Sequence, residues 1–163
     1  MTVLRTLMLL ALIVWIGGII FFVAVLAPVV FSGVLPTREL AGNVVNPSLT
    51  RLHWIGMVSG LIFLSSSVLF NLAKYTRPRL FAPLHILVLL MLLLTMVSQF
   101  GIAPRMHALR MEMGAIDNLP QDDARRVEFN RLHQRSTQAE GGVLLLGLAV
   151  VILTARRGGA ASF

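Results

Sequence analysis

The chain has no cysteine among its 163 residues, which excludes disulfides, thiolate metal sites and cysteine nucleophiles together. Any metal or cofactor has to be held by histidine, methionine, carboxylate or backbone. Charge is scarce as well: 13% of residues are charged against 56% hydrophobic. A mean hydropathy of +0.82 lies outside the range in which a soluble domain stays in water. The charge that remains leans one way, 14 Lys and Arg against 7 Asp and Glu. The basic residues form no continuous run with interleaved aromatics, so no nucleic-acid partner is expected, and their places beside apolar stretches read as topology signals. Repeats and low-complexity tracts are missing, apart from a small Gly158 to Ser162 tail that is expected to be disordered.

What is present is a series of long apolar stretches. The first, from about Leu7 to Phe31, carries no charge and exceeds the roughly 7 to 15 residues of a signal-peptide core. A cleavage-like Val25-Leu26-Ala27 is followed by Pro28, which argues for a retained span. Trp54 to Ala73 and Phe81 to Gly101 are equally free of charge and long enough to cross. The fourth is purely apolar only from Gly141 to Ala155, so its helix must start near Ser136 or Thr137 and carry Glu140 into the hydrocarbon. The expected architecture is an all-α integral membrane protein: one membrane domain over residues 1–163, a four-helix bundle with spans at about 7–31, 54–73, 81–101 and 136–156.

Four spans put Arg5, Lys74, Arg77, Arg79, Arg156 and Arg157 on one side, with no acid, and all the acids with eight Arg on the other. The raw count of basic residues does not favour the first side, but the rule weights short flanking loops, and Lys74 to Arg79 is one. The expected location is therefore a bacterial inner membrane with both termini cytoplasmic. On the outer face, Pro36 to Arg51 is expected to form a loop or a short amphipathic segment. Asn118-Leu119-Pro120 followed by Gln121-Asp122-Asp123 reads as a helix start, proline early and acids at the positive end of the dipole. Nothing from Pro120 to Arg157 breaks a helix, and such a helix would reach about 57 Å, so the third and fourth helices are expected to extend outward as a hairpin.

This topology brings three histidines toward one level. His53 opens the second span at the outer interface, His107 lies beyond the third, and His133 precedes the fourth. His133, Ser136 and Glu140 are spaced by three and four and so share a helix face. Imidazole suits copper, zinc or haem iron, carboxylate can complete a site, and Met106, Met111 and Met113 add thioethers fit for Cu(I). The alternative is that these are ordinary interfacial histidines and packing methionines; no HExxH signature is present. Glu140 needs a partner at its depth, with Arg51, Arg105, Arg135, His53 and His133 on the correct side. It reads either as a proton relay or ligand, or as a carboxylate paired for structure. Gln99 is placed to hydrogen-bond Ser136 or Glu140, while Ser65, Ser66 and Ser67 can bond back within their own helix. Gly56 and Gly60 permit close helix contact, within the bundle or in a homo-oligomer. His85 reads as a lone interfacial residue, Trp54 as an outer aromatic anchor and Trp15 as core.

Several short pieces run in order along most of the chain: Trp15-Ile16-Gly17-Gly18 with Ala27-Pro28 and Phe31, Ala41-Gly42, and His53 with Gly56 and Gly60. They resume at Ile102-Ala103-Pro104 and at Phe129-Asn130-Arg131-Leu132-His133 with Ser136. On these the chain resembles the transmembrane protein 205-like family, itself reminiscent of the copper-resistance D-type four-helix membrane proteins. Glu140 departs from the amide more usual at its position. The resemblance implies a four-helix membrane bundle; animal relatives are linked to platinum-drug tolerance, D-type relatives to copper handling, and neighbouring four-helix families bind haem through histidine.

The leading expectation is thus a protein that binds a metal ion or haem near its outer face in transport, resistance or redox, through His53, His107 and His133 with Glu140 and Met106; haem b and copper are the candidate cofactors. A second is a transporter or channel for protons or a small solute, with Gln99, Ser136 and Glu140 as the polar groups within the membrane. A third is a non-catalytic subunit that presents the projecting hairpin to a membrane partner protein. Enzyme activity is expected only as a cofactor-dependent oxidoreductase, since no nucleophile and base pair is evident.

Overall fold

In a computed structural model, which describes residues 1–74, 82–114 and 119–159, the chain forms four long helices and, among the described residues, no strand. They are α1 (Thr2–Val34), α2 (Arg38–Lys74), α3 (Pro83–Met113) and α4 (Ala124–Gly159). Each is long and apolar enough to cross a membrane. Large apolar side chains such as Leu61, Leu93, Leu145 and Ile152 point outward. Water would not tolerate so much contiguous exposed hydrocarbon; a bilayer does.

The helices run up and down, each packed on the next, with α4 closing back on α1. Cross-helix contacts fix the antiparallel register. Arg5 on α1 stacks on Phe70 of α2, Ser67 on α2 bonds His85 on α3, and Arg105 on α3 pairs with Glu128 on α4. The core between them is built from Trp15, Ile19, Phe63, Val88, Met91, Val143 and Val150.

Local chemistry sets the helix ends. Gly33, at φ 95°, lets the chain leave α1, and the Thr37 hydroxyl accepts a hydrogen bond from the Leu40 N–H at 3.2 Å to open α2. Pro83 stands at the start of α3, where its missing N–H costs nothing. The helical start expected around Pro120 comes later, at Ala124. Asp123 takes the capping place, its Oδ1 accepting from the Arg125 N–H at 2.9 Å.

Two internal prolines reshape helices. Pro28 and Pro104 cannot bond the carbonyls of Ala24 and Phe100, and both carbonyls lie in widened π-helical turns, Phe22–Leu26 in α1 and Val97–Ile102 in α3. Pro47 stands inside α2. Of the segment expected to be a loop or a short amphipathic piece over Pro36 to Arg51, residues 38–51 form the first third of the long helix α2, so α2 joins α3 and α4 in reaching past the bundle. There Leu109, Met113 and Phe129 form a small second core, with Met106, Leu119 and Leu132 packed against it. Arg77 and Arg79 lie outside the described residues. Of the tail expected to be disordered, Gly158 and Gly159 belong to α4; Ala160, Ala161 and Ser162 lie outside the described residues.

Candidate functional site

An imidazole buried in an apolar helix bundle must have both ring nitrogens paired, and His53 does. It is 2% exposed in the bundle interior. Nδ1 lies 2.8 Å from Gln99 Oε1 on α3, and Nε2 lies 2.5 Å from Glu140 Oε1 on α4. Three helices are tied at one point. Gln99 reaches it from the π turn of α3, which also carries Ser98 inward, 3.4 Å from the Ser136 hydroxyl. The proline that widens α3 thus shapes the site.

The geometry constrains the protons. With Gln99 Oε1 facing Nδ1, that nitrogen must be the donor, which leaves Nε2 and Glu140 Oε1 to share one further proton. The proton sits on the carboxyl in the neutral form of the pair and on the ring in the ion-pair form; either way the pair carries no net charge, as burial demands. Removing it sets two acceptors face to face. The site then relaxes only if Nε2 takes the ring hydrogen and the Gln99 amide turns to offer its NH2 to Nδ1. The orientation of Gln99 is therefore coupled to the protonation of Glu140 and His53.

Of the Glu140 partners open to the sequence, His53 is the one the fold selects. Gln99 meets the histidine rather than Ser136 or Glu140. The three-histidine cluster does not assemble: His107 and His133 are exposed, and they stand eight and seven residues beyond Gln99 and Glu140 on their helices. That is about 12 and 10 Å from the level of His53. His133 lies with its ring parallel to Phe129, centroids 6.5 Å apart. Met106 packs into the second core and Met111 is exposed. Among the described residues no group of three or more His, Asp or Glu is placed to hold a metal ion.

One further expectation narrows to its within-bundle alternative, and one changes. Gly56 and Gly60 face inward against Trp15, and Gly60 also against Leu92, so their open face is filled by the chain itself and not left for a second copy. His85 is not alone: it is 3% exposed, with Nε2 2.8 Å from the Ser67 hydroxyl. The sequence held a signal for this second pair, since Ser67 and His85 lie at mirrored positions on adjacent antiparallel spans. Trp15 is core and Trp54 is exposed, edge-on to Phe100 at 6.0 Å.

Four apolar helices around a buried acid and imidazole, with a half-buried amide beside them, define an all-α membrane protein with an ionisable centre in its core. Within that class, residues 10–115 match the family described as Domain of unknown function (DUF4149), and the chain belongs to it. The matched stretch includes His53, Gln99 and His85; Glu140 lies beyond it. No curated protein and no solved structure matches the chain.

Proposed function

We propose that this membrane protein takes up and releases a proton at the His53–Glu140 pair, in the service of a transporter or channel for protons or a small solute. One observation carries this reading: two titratable groups stand 2.5 Å apart, both buried, inside a bundle of apolar helices. Ionisable groups at such depth are costly and mark proton and ion routes. Gln99 supplies a partner that can serve either tautomer by turning its amide. The test is proton uptake by proteoliposomes loaded with a pH-sensitive dye. Glu140→Gln keeps a hydrogen bond to His53 but cannot release the proton, and flux should collapse; flux equal to wild type would show that the pair carries no proton across.

Metal or haem binding is the second reading, supported by the likeness to the transmembrane protein 205-like and copper-resistance D-type families and by two donors side by side. A metal ion would take Nε2 of His53 and a carboxylate oxygen of Glu140 in place of the proton they share. Elemental analysis and an absorption spectrum of purified, loaded protein decide it. For orientation, Arg5, Lys74 and Arg156 lie at the acid-free end of the bundle, which supports a cytoplasmic location for both termini in a bacterial inner membrane.

A further inference from the structure

The proposed proton site has a counterpart that it does not use. Fourteen residues after His53, close to four helical turns, α2 carries Ser67; fourteen residues before Gln99, α3 carries His85. The antiparallel register therefore builds the same motif twice along the α2–α3 seam, with the imidazole donated by α2 at one end and by α3 at the other. Both histidines are buried. The rise along α2 separates the two sites by about 21 Å, within the roughly 30 Å hydrocarbon thickness.

Between them the seam is apolar. Phe63 on α2 and Val88 and Met91 on α3 are almost fully buried, with Trp15 of α1 against Gly60 at the same height. The Thr95 hydroxyl is committed to the Met91 carbonyl of its own helix at 2.9 Å, and Ser59 lines the apolar groove between α1 and α2. Apolar constrictions of this kind close a path by excluding water.

We propose that Ser67–His85 is a second proton-exchange site, at the opposite end of the bundle from His53–Glu140, and that the layer of Phe63, Val88 and Met91 is the barrier a transported proton must cross between them. The inference rests on the reading of His53–Glu140 as a proton site. A serine hydroxyl suits the task because it both donates and accepts. Protonated His85 gives its Nε2–H to Ser67 Oγ; after the proton leaves, the hydroxyl rotates and donates to the bare nitrogen, and no bond goes unmade. Among the described residues the charged groups at this end are the Met1 amino group, Arg5 on α1, Lys74 on α2 and Arg156 and Arg157 on α4, with no acid there. His53 is faced by Glu140 from α4 and uncharged Gln99 from α3, with Arg51 exposed on its own helix.

The test compares dye-reported proton flux in proteoliposomes for wild type, Glu140→Gln, His85→Gln and Ser67→Ala. His85→Gln should lower flux at least roughly tenfold, as Glu140→Gln also should. Ser67→Ala, which removes a positioning group, should shift the pH profile while flux persists. Full flux in His85→Gln beside lost flux in Glu140→Gln would overturn the second site and leave the first standing. Full flux in both, or wild-type vesicles no leakier than protein-free ones, would overturn both. Should His85→Gln fail to purify as a monodisperse species, NMR titration of histidine-labelled wild type decides. A His85 ring that titrates between roughly pH 5 and 8 supports the site, and one that never changes protonation overturns it.

Discussion

The indole of Trp15 on α1 occupies the space that a side chain on Gly56 of α2 would need, with ring atoms Cδ1 and Cε2 both 2.9 Å from where a Cβ would stand. Gly60 is similarly closed by Trp15 Cζ3 at 2.8 Å and Leu92 Cδ2 at 2.6 Å. A ring locked between two helices cannot give way as a flexible chain end can. Gly56→Ala and Gly60→Ala should each destabilise the bundle by about 1–3 kcal/mol. Gly17→Ala meets nothing within 4 Å and should be neutral or gain roughly 0.5–1 kcal/mol from the better helix former. Unfolding in mixed detergent micelles measures all three, and equal stability of Gly56→Ala and Gly17→Ala would contradict the packing.

The His53–Glu140 contact predicts an unequal pair of substitutions. Glu140→Ala leaves Nε2 of a buried ring without a partner, at a cost of about 1–3 kcal/mol. Glu140→Gln retains a donor for that nitrogen and should cost clearly less. Thermal melts in detergent compare them, and a cycle adding His53→Ala isolates the coupling. A coupling near zero would mean that the two groups do not meet.

His107 and His133 stand apart from the buried site, so His107→Ala and His133→Ala should leave proton flux at the wild-type level, and bound metal too if any is found. Loss of a bound metal in either variant would restore the three-histidine cluster against the geometry.

At the start of α4, the side-chain hydrogen bond from Arg125, helped by its backbone N–H, holds the Asp123 carboxyl down at about 2. A depressed carboxyl pKa contributes order above the unfolded value, near 3.8, and that contribution is lost as pH falls through about 2. Amide exchange in the first turn of α4 should therefore quicken, relative to the rest of that helix, across this window. Asp123→Asn should remove the pH dependence.

The absence of cysteine makes topology directly measurable. Single replacements Thr2→Cys and Glu112→Cys lie at opposite ends of the bundle and should react with an impermeant maleimide from opposite sides of the membrane. Labelling of both from one side would break the four-span arrangement.

Much of the fold was legible because hydrocarbon is a simple solvent. A run of some twenty uncharged apolar residues has no stable alternative to a helix there, so α1 and α3 could be located from composition alone. Over Pro36 to Arg51, proline and polar residues left a loop or a short separate segment open, whereas residues 38–51 are continuous with α2, which runs through Pro47 and extends past the bundle. Glu140 was visible as an anomaly, and its depth followed from counting residues back from Arg156. Its partner was not visible, since five groups stood on the correct side and spacing could not rank them.

The amino-acid order by itself settled that the chain lives in lipid and that a carboxylate travels in with the last helix, because both follow from counting apolar residues against bilayer thickness. Which imidazole that carboxylate meets was decided only by how the four helices rotate and slide against one another. Trp15 seated on two glycines and the π turn ahead of Pro104 set those rotations, and they bring His53, Gln99 and Glu140 together while leaving His107 and His133 outside.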